Sequence, residues 1–117
     1  MAGTVDMITN VSPDDFATVE EDPNLVKYFR GRGISYITLT HSKDNKICDS
    51  SYDTTGTHGG LSDYGRIIVR KMQEAGIMID ISHVSDNTFH QVLDMVNVPV
   101  IASHSSARRF TPGFERN

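Results

Sequence analysis

The sequence of 117 residues contains no tryptophan, a single cysteine and only four prolines. Because Cys48 is alone, no internal disulfide can form. No apolar run approaches the ~20 residues that a membrane-spanning helix needs. The first ten residues, MAGTVDMITN, lack the apolar core of a signal peptide. These absences predict a cytoplasmic chain without a membrane segment, unless truncation has removed a signal.

Positive charge is also in short supply. The formal net charge is -4 and the isoelectric point about 5.6, and the one basic cluster, 30–32, is small. A nucleic-acid partner is therefore not expected. Hydrophobic residues make up 38% and charged residues 22% of the chain, which is ordinary for a globular protein. The length predicts a single domain over 1–117, with little pattern in 1–22.

One stretch in the second half of the chain has the order strand, helix, strand, and a histidine follows each strand. The apolar run 77–82 precedes His83, and the run 98–103 precedes His104. Between them Ser85 is a suitable helix N-cap. Apolar residues then recur at helical spacing, namely Phe89, Val92, Leu93 and Val96. Strands that alternate with amphipathic helices predict parallel βαβ units.

A third predicted strand, 34–40, is also followed by a histidine, His41. Pro23 suits the first turn of the helix before it, whose apolar residues are Leu25, Val26, Tyr28 and Phe29. The helix after it has Ser62 as N-cap and Gly76 as left-handed C-cap. Its predicted buried residues are Ile67, Ile68, Met72 and Ala75. The sequence therefore predicts an α/β fold with three parallel strands and three helices.

The three histidines that follow strands are predicted to share one edge of the sheet, where ligands gather in such folds. A single histidine at a strand end is usually a hydrogen-bonded surface or core residue, and this alternative stays open. Imidazoles from consecutive βα units also suit a metal such as zinc. The long polar loop 42–60 follows His41 and is expected to cover the same edge. Within it, Cys48 is interpreted as a packed residue and His58 as a solvent-exposed one.

Five segments, in order, resemble the core motifs of the membrane dipeptidases of peptidase family M19: YITLTHSKDN, GLSDYG, IMIDISHVSD, VIASHSSAR and FTPGFERN. The resemblance covers about 23–117. It implies a (β/α)8 TIM-type barrel, of which this chain forms a part, since a whole barrel needs ~250 residues. It also implies a zinc-dependent dipeptidase, in which a hydroxide bridging two zinc ions attacks the peptide bond of a dipeptide substrate.

The resemblance assigns a role to each matching residue. His83 and His104 stand in the I-S-H-V-S and A-S-H-S-S motifs and are expected to ligate the second zinc. His41, in T-L-T-H, is expected to contact the substrate and the developing oxyanion. Arg116, in the terminal R-N motif, is expected to hold the substrate carboxylate, a task that suits a guanidinium group. Glu20 is the candidate for the carboxylate that bridges the two metal ions.

The family's first zinc motif, H-x-D, is absent, because no histidine precedes His41. Two imidazoles fall short of the three protein ligands of a catalytic zinc, so the chain alone is expected to bind zinc weakly. A catalytically incomplete or degenerate homologue is the alternative. A nucleophile at Ser105 or Ser106 is less favoured, because no G-x-S-x-G motif surrounds them. We also expect self-association through an uncovered strand edge at 34–40 or 98–103.

Overall fold

The computed structural model describes residues 3–5, 22–103, 105 and 110, and these residues include a parallel sheet of three strands. The strands are β1 (Gly3–Val5), β2 (Ile34–Thr38) and β3 (Met78–Asp80), in the spatial order β1-β2-β3. The helices are α1 (Leu25–Gly31), α2 (Asp63–Ala75) and α3 (Asp86–Met95). Both strand pairs are parallel, which confirms the predicted α/β class.

Helices α2 and α3 begin, and α2 ends, at the residues whose local chemistry predicts a cap. The Ser62 hydroxyl accepts a hydrogen bond from the Gly65 amide at 2.8 Å, and α2 starts at the next residue. In the same way, the Ser85 hydroxyl accepts from the Thr88 amide at 3.2 Å and caps α3. Gly76 ends α2 with φ at 76°, in the left-handed region that glycine adopts without a steric cost. All three predicted caps are confirmed.

The apolar core lies where α1 and α2 pack against β2 and β3. Its aliphatic side chains without any exposed surface are Ile37, Leu39, Ile47, Ile68, Val69, Met72, Ile79 and Val92. Burying each of them is worth roughly 1.5–3 kcal/mol relative to leaving it in water. This packing fixes the sheet and therefore the position of the loops that leave its carboxyl edge. None of the helices in the described part of the chain has the length and apolarity needed to span a bilayer.

The predicted apolar faces of α2 and α3 are confirmed at Ile68, Met72 and Val92, which are completely buried, but not at three other positions. Ile67, Phe89 and Leu93 were predicted to be buried, but 44%, 37% and 43% of their surfaces are exposed. The buried residues of α2 are Gly65, Ile68, Val69 and Met72, and those of α3 are Thr88 and Val92. The exposed residues each sit one position away from a buried one, about 100° around the helix. On α1, Tyr28 is likewise 52% exposed.

The predicted strand at 98–103 is wrong as an extended element. Only Ile101 pairs with β3, through hydrogen bonds from the Ile101 amide to the Ile79 carbonyl (3.0 Å) and from the Ile81 amide to the Ile101 carbonyl (2.8 Å). Pro99 has no amide hydrogen to donate, which limits the pairing. Of the two edges expected to be open, the one at 34–40 is wrong, because β1 pairs with β2. The open edge at 98–103 stays a prediction.

Candidate active site

Two of the predicted histidines lie side by side at the carboxyl ends of neighbouring strands. His41 comes three residues after Thr38, the last residue of β2, and His83 comes three residues after Asp80, the last residue of β3. Their ring centroids are 4.5 Å apart and the ring planes are inclined by 42°. His41 is exposed and His83 is half-buried. The prediction that these two strand ends share one edge is confirmed.

The backbone at His83 has an unusual conformation. Its φ of 66° is the one positive φ of a non-glycine residue in the described part of the chain. Such a conformation costs roughly 1–3 kcal/mol and persists only when the surroundings enforce it. Here the Ser51 amide donates to the His83 carbonyl at 2.8 Å. The next residue, Val84, forms an antiparallel bridge with Ser50. The loop after β2 therefore holds the backbone that carries His83.

That loop, 42–60, covers the edge of the sheet as the sequence predicts. Its Asp49 carbonyl accepts from the Ser85 amide at 3.0 Å, which joins the loop to the start of α3. Its Tyr52 ring lies 5.5 Å from the His83 ring, and 38% of the Tyr52 surface remains exposed. An aromatic ring thus flanks the His83 imidazole on the loop side.

The interior of the loop corrects one prediction and confirms another. His58 is half-buried rather than solvent-exposed, with its Nε2 atom 2.6 Å from the Asn45 carbonyl oxygen. The His58 amide also donates to the Asp49 carboxylate at 2.9 Å, and this hydrogen bond draws the residue inward. Cys48 has no exposed surface, which confirms that it is a packed residue.

Asp80 belongs to this edge although the sequence motifs do not single it out. The residue is completely buried, and its carboxylate accepts hydrogen bonds from Thr38, Ser82 and Ser103. Burial on its own raises the pKa of Asp80, but the hydrogen bonds from Ser103, Thr38 and Ser82 outweigh it and hold the pKa below the ordinary value. The signal in the sequence was an acidic residue between two isoleucines of an apolar strand.

The other predicted site residues, His104, Arg116, Glu20 and Ser106, lie outside the described residues. Ser105 is exposed. Ser103 is described, and its amide donates to Asp80 at 3.1 Å. The residue directly before His104 is therefore at the same edge as β3. Within 3–5, 22–103, 105 and 110, no group of three histidine, cysteine, aspartate or glutamate side chains is arranged to hold a metal ion.

Comparison with known families agrees with the motifs and with this geometry. The family model of the membrane dipeptidases, peptidase family M19, matches residues 6–117. The chain belongs to this family.

Named relatives and solved structures point the same way. The chain is 42% identical over 86 residues to an uncharacterised dipeptidase of Schizosaccharomyces pombe, covering 74% of this chain and 21% of that protein. It is 40% identical over 89 residues to dipeptidase tcpJ of Claviceps purpurea, covering 76% of this chain and 21% of the relative. The chain thus spans about a fifth of the length of these relatives.

Among solved structures, the probable dipeptidase PvdM from Pseudomonas aeruginosa superposes with a TM-score of 0.71 at 29% sequence identity. The match covers 75% of this chain and 24% of PvdM. An amidohydrolase from the same organism gives a TM-score of 0.64 at 32% identity, over 70% of this chain and 24% of that protein. The described strands and helices therefore share their arrangement with part of each of these larger proteins.

Proposed function

We propose that the chain is the part of a zinc-dependent dipeptidase that supplies ligands of the second zinc ion and the substrate-binding groups beside it. In this proposal the described sheet is one section of a (β/α)8 barrel. The observation that carries it is the pair of imidazoles, His41 and His83, at the carboxyl ends of β2 and β3, 4.5 Å apart. Active sites of such barrels are built at this end of the strands.

The side chains at this edge include ligands of the type that zinc prefers. Imidazole is a common zinc ligand, and His83 stands at the strand end with its backbone held in place. In number, the described residues do not complete a site. The proposal therefore assigns the second imidazole to His104, and the bridging carboxylate to Glu20. The residue before His104 is already held at this edge by Asp80.

Each residue then has a task in dipeptide hydrolysis. Zinc, when bound, supplies a Lewis acid and lowers the pKa of the water that attacks the peptide carbonyl. His83 and His104 hold the ion. His41 donates a hydrogen bond to the oxyanion that forms on the carbonyl oxygen. A donor placed there stabilises the negative charge that develops in the transition state. Arg116 binds the carboxylate of the dipeptide through paired N–H donors.

Four alanine variants test this assignment. His83→Ala and His104→Ala are expected to lose zinc to a similar extent, measured by titration and by elemental analysis. His41→Ala is expected to keep the zinc affinity and to lower dipeptide hydrolysis by about 10²–10³-fold, as removal of an oxyanion donor does. His90→Ala is the matched control, because His90 is an exposed histidine on α3. It should retain both properties.

Equal zinc affinity in wild type, His83→Ala and His104→Ala would refute the shared ligand pair. The alternative proposal is a catalytically incomplete homologue, and it is favoured by the absence of an H-x-D motif before His41. Wild-type protein that contains no zinc supports that alternative. Hydrolysis with two zinc ions per chain refutes it.

A further inference from the structure

One oxygen of the buried Asp80 carboxylate holds the backbone next to both predicted zinc ligands. Asp80 Oδ1 accepts from the Ser82 amide at 3.0 Å and from the Ser103 amide at 3.1 Å. Ser82 directly precedes His83 in the sequence, and Ser103 directly precedes His104. The same atom is therefore shared by two chain segments that are far apart in sequence and carry the two histidines.

The second oxygen of the Asp80 carboxylate is hydrogen-bonded to β2, the strand that precedes His41. Asp80 Oδ2 accepts from the Thr38 hydroxyl at 2.7 Å and from the Ser103 hydroxyl at 2.5 Å. Thr38 is the last residue of β2. The carboxylate thus joins the ends of β2 and β3 and the segment that pairs with β3 at Ile101.

Stability alone does not account for a carboxylate at this position. Asp80 has no exposed surface and lies between Ile79 and Ile81 in an apolar strand. Removing a charge from water is costly, and well-packed apolar residues often replace buried charged groups without loss of stability. An apolar side chain cannot, however, accept four hydrogen bonds from three segments. The arrangement favours a role in fixing the geometry of the edge.

The backbone at His83 shows what the carboxylate fixes. His83 has a φ of 66°. The hydrogen bond from the Ser51 amide acts on its carbonyl group, and the hydrogen bond from the Ser82 amide to Asp80 acts on the Ile81–Ser82 peptide, one residue before His83. Hydrogen bonds thus hold the backbone both before and after the strained residue. A strained backbone persists only where its surroundings enforce it, so we expect loss of either hydrogen bond to free the backbone at His83.

We infer that Asp80 is a positioning residue that sets the backbone at Ser82 and at Ser103, the residues directly before His83 and His104, at a fixed spacing, so that both imidazoles meet one ion. That both imidazoles meet one ion rests on the proposed function. The spacing of the backbone does not depend on it and can be measured without metal.

The test compares Asp80→Leu and Asp80→Asn with wild type and with Val26→Ala. Leucine removes every acceptor, whereas asparagine keeps one oxygen for the two amides. Val26 is a buried residue of α1 and serves as the control for a general loss of stability. All proteins are compared at equal folded fraction.

The metal-free readouts are the nuclear Overhauser effect between the His41 and His83 rings and the hydrogen exchange of the Ser82 and Ser103 amides. The readout with metal is zinc affinity by chelator competition.

Asp80→Leu is expected to lose the ring contact and the protection of both amides, and to bind zinc about 10–100-fold more weakly, as loss of a group that orients a ligand does. Asp80→Asn should fall between wild type and Asp80→Leu. Val26→Ala should keep all wild-type values. If Asp80→Leu does not fold, Asp80→Glu replaces it, since it keeps the charge but displaces both oxygens, and the same losses are expected.

A folded Asp80→Leu or Asp80→Glu protein with the wild-type ring contact overturns the inference. So does a Val26→Ala protein that loses the contact to the same degree. If wild-type protein binds no zinc, the proposed metal site is lost. The ring contact and amide exchange still decide whether Asp80 positions the histidines.

Discussion

The layer of helices on the sheet and the loop 42–60 are both ordered, but by different forces. In the layer, aliphatic side chains such as Ile68 and Ile79 are completely buried between α2 and β3. In the loop, side-chain oxygens accept hydrogen bonds from backbone amides. The Asp49 carboxylate accepts one from the Gly60 amide at 2.9 Å, and the Asn45 side-chain oxygen accepts one from the Ile47 amide at 2.8 Å. The layer is therefore held by many non-directional contacts, whereas the loop depends on the placement of a few oxygens.

The difference matters for function because the loop holds the backbone of His83 through Ser51 and carries Tyr52 beside its ring. The layer supplies rigidity, and the loop supplies the final placement of the site. The two regions meet at Ile47. Its side chain is buried in the core, and its carbonyl oxygen accepts from the Ser62 amide at 2.9 Å.

The largest expected effect comes from this junction. A Cβ atom at Gly65 would overlap the Ile47 carbonyl oxygen, which is part of the backbone and cannot rotate away. Gly65→Ala should therefore lower the free energy of unfolding by ~2–4 kcal/mol, although alanine favours a helix over glycine by ~1 kcal/mol. Urea denaturation followed by circular dichroism measures it.

Gly31→Ala is the matched control, because Gly31 is also helical and a Cβ atom added there would meet no other atom within 4 Å. It should leave stability unchanged or raise it by up to ~1 kcal/mol. Equal effects of the two substitutions would show that the loop does not press on α2 at Ile47.

The helix caps and the run at 98–103 show which parts of the fold the sequence alone can predict. Ser62, Ser85 and Gly76 act within a few residues of themselves, and their caps were predicted correctly. The run at 98–103 has the composition of a strand, but its pairing depends on a distant partner and only Ile101 pairs.

The candidate site divides in the same way. The motif histidines His41 and His83 were found from the strands that precede them. Asp80 was missed, because its partners Thr38 and Ser103 are 42 and 23 residues away in the sequence and only the fold brings them together. The half-buried state of His58 likewise depends on its contact with Asn45, 13 residues before it.

The second expected effect is a difference in pH dependence between the loop 42–60 and the layer of helices on the sheet. Burial raises the pKa of Asp44, but hydrogen bonds from Thr57 and Ser50 outweigh it and lower the pKa below the ordinary value. Hydrogen bonds from Thr55 and the Asp44 amide lower the pKa of Asp53. A carboxyl group with a lowered pKa in the folded state stabilises it fully above the unfolded value of ~3.9, and this contribution is lost as the pH falls through the lowered value.

Loop amides of Ser50 and Thr57 should therefore lose hydrogen-exchange protection below about pH 4, before the amide of Ile79 in the sheet does. Asp44→Asn is the control, because it removes the titration of that side chain and should flatten the dependence of the Thr57 amide on pH. If loop and sheet amides lost protection together at one pH, the two regions would form a single cooperative unit.

The smallest expected effect concerns the exposed side of α3. Phe89 and Leu93 are one turn apart on this helix and keep 37% and 43% of their surfaces exposed. Because they contribute little to the core, Phe89→Ser and Leu93→Ser should each change the free energy of unfolding by at most ~0.5 kcal/mol. Val92→Ala, at a completely buried position between them, should cost ~1–3 kcal/mol. The double serine variant should also reduce self-association measured by light scattering, since it removes an exposed apolar pair. A serine variant as unstable as Val92→Ala would place this face of α3 inside the packed layer.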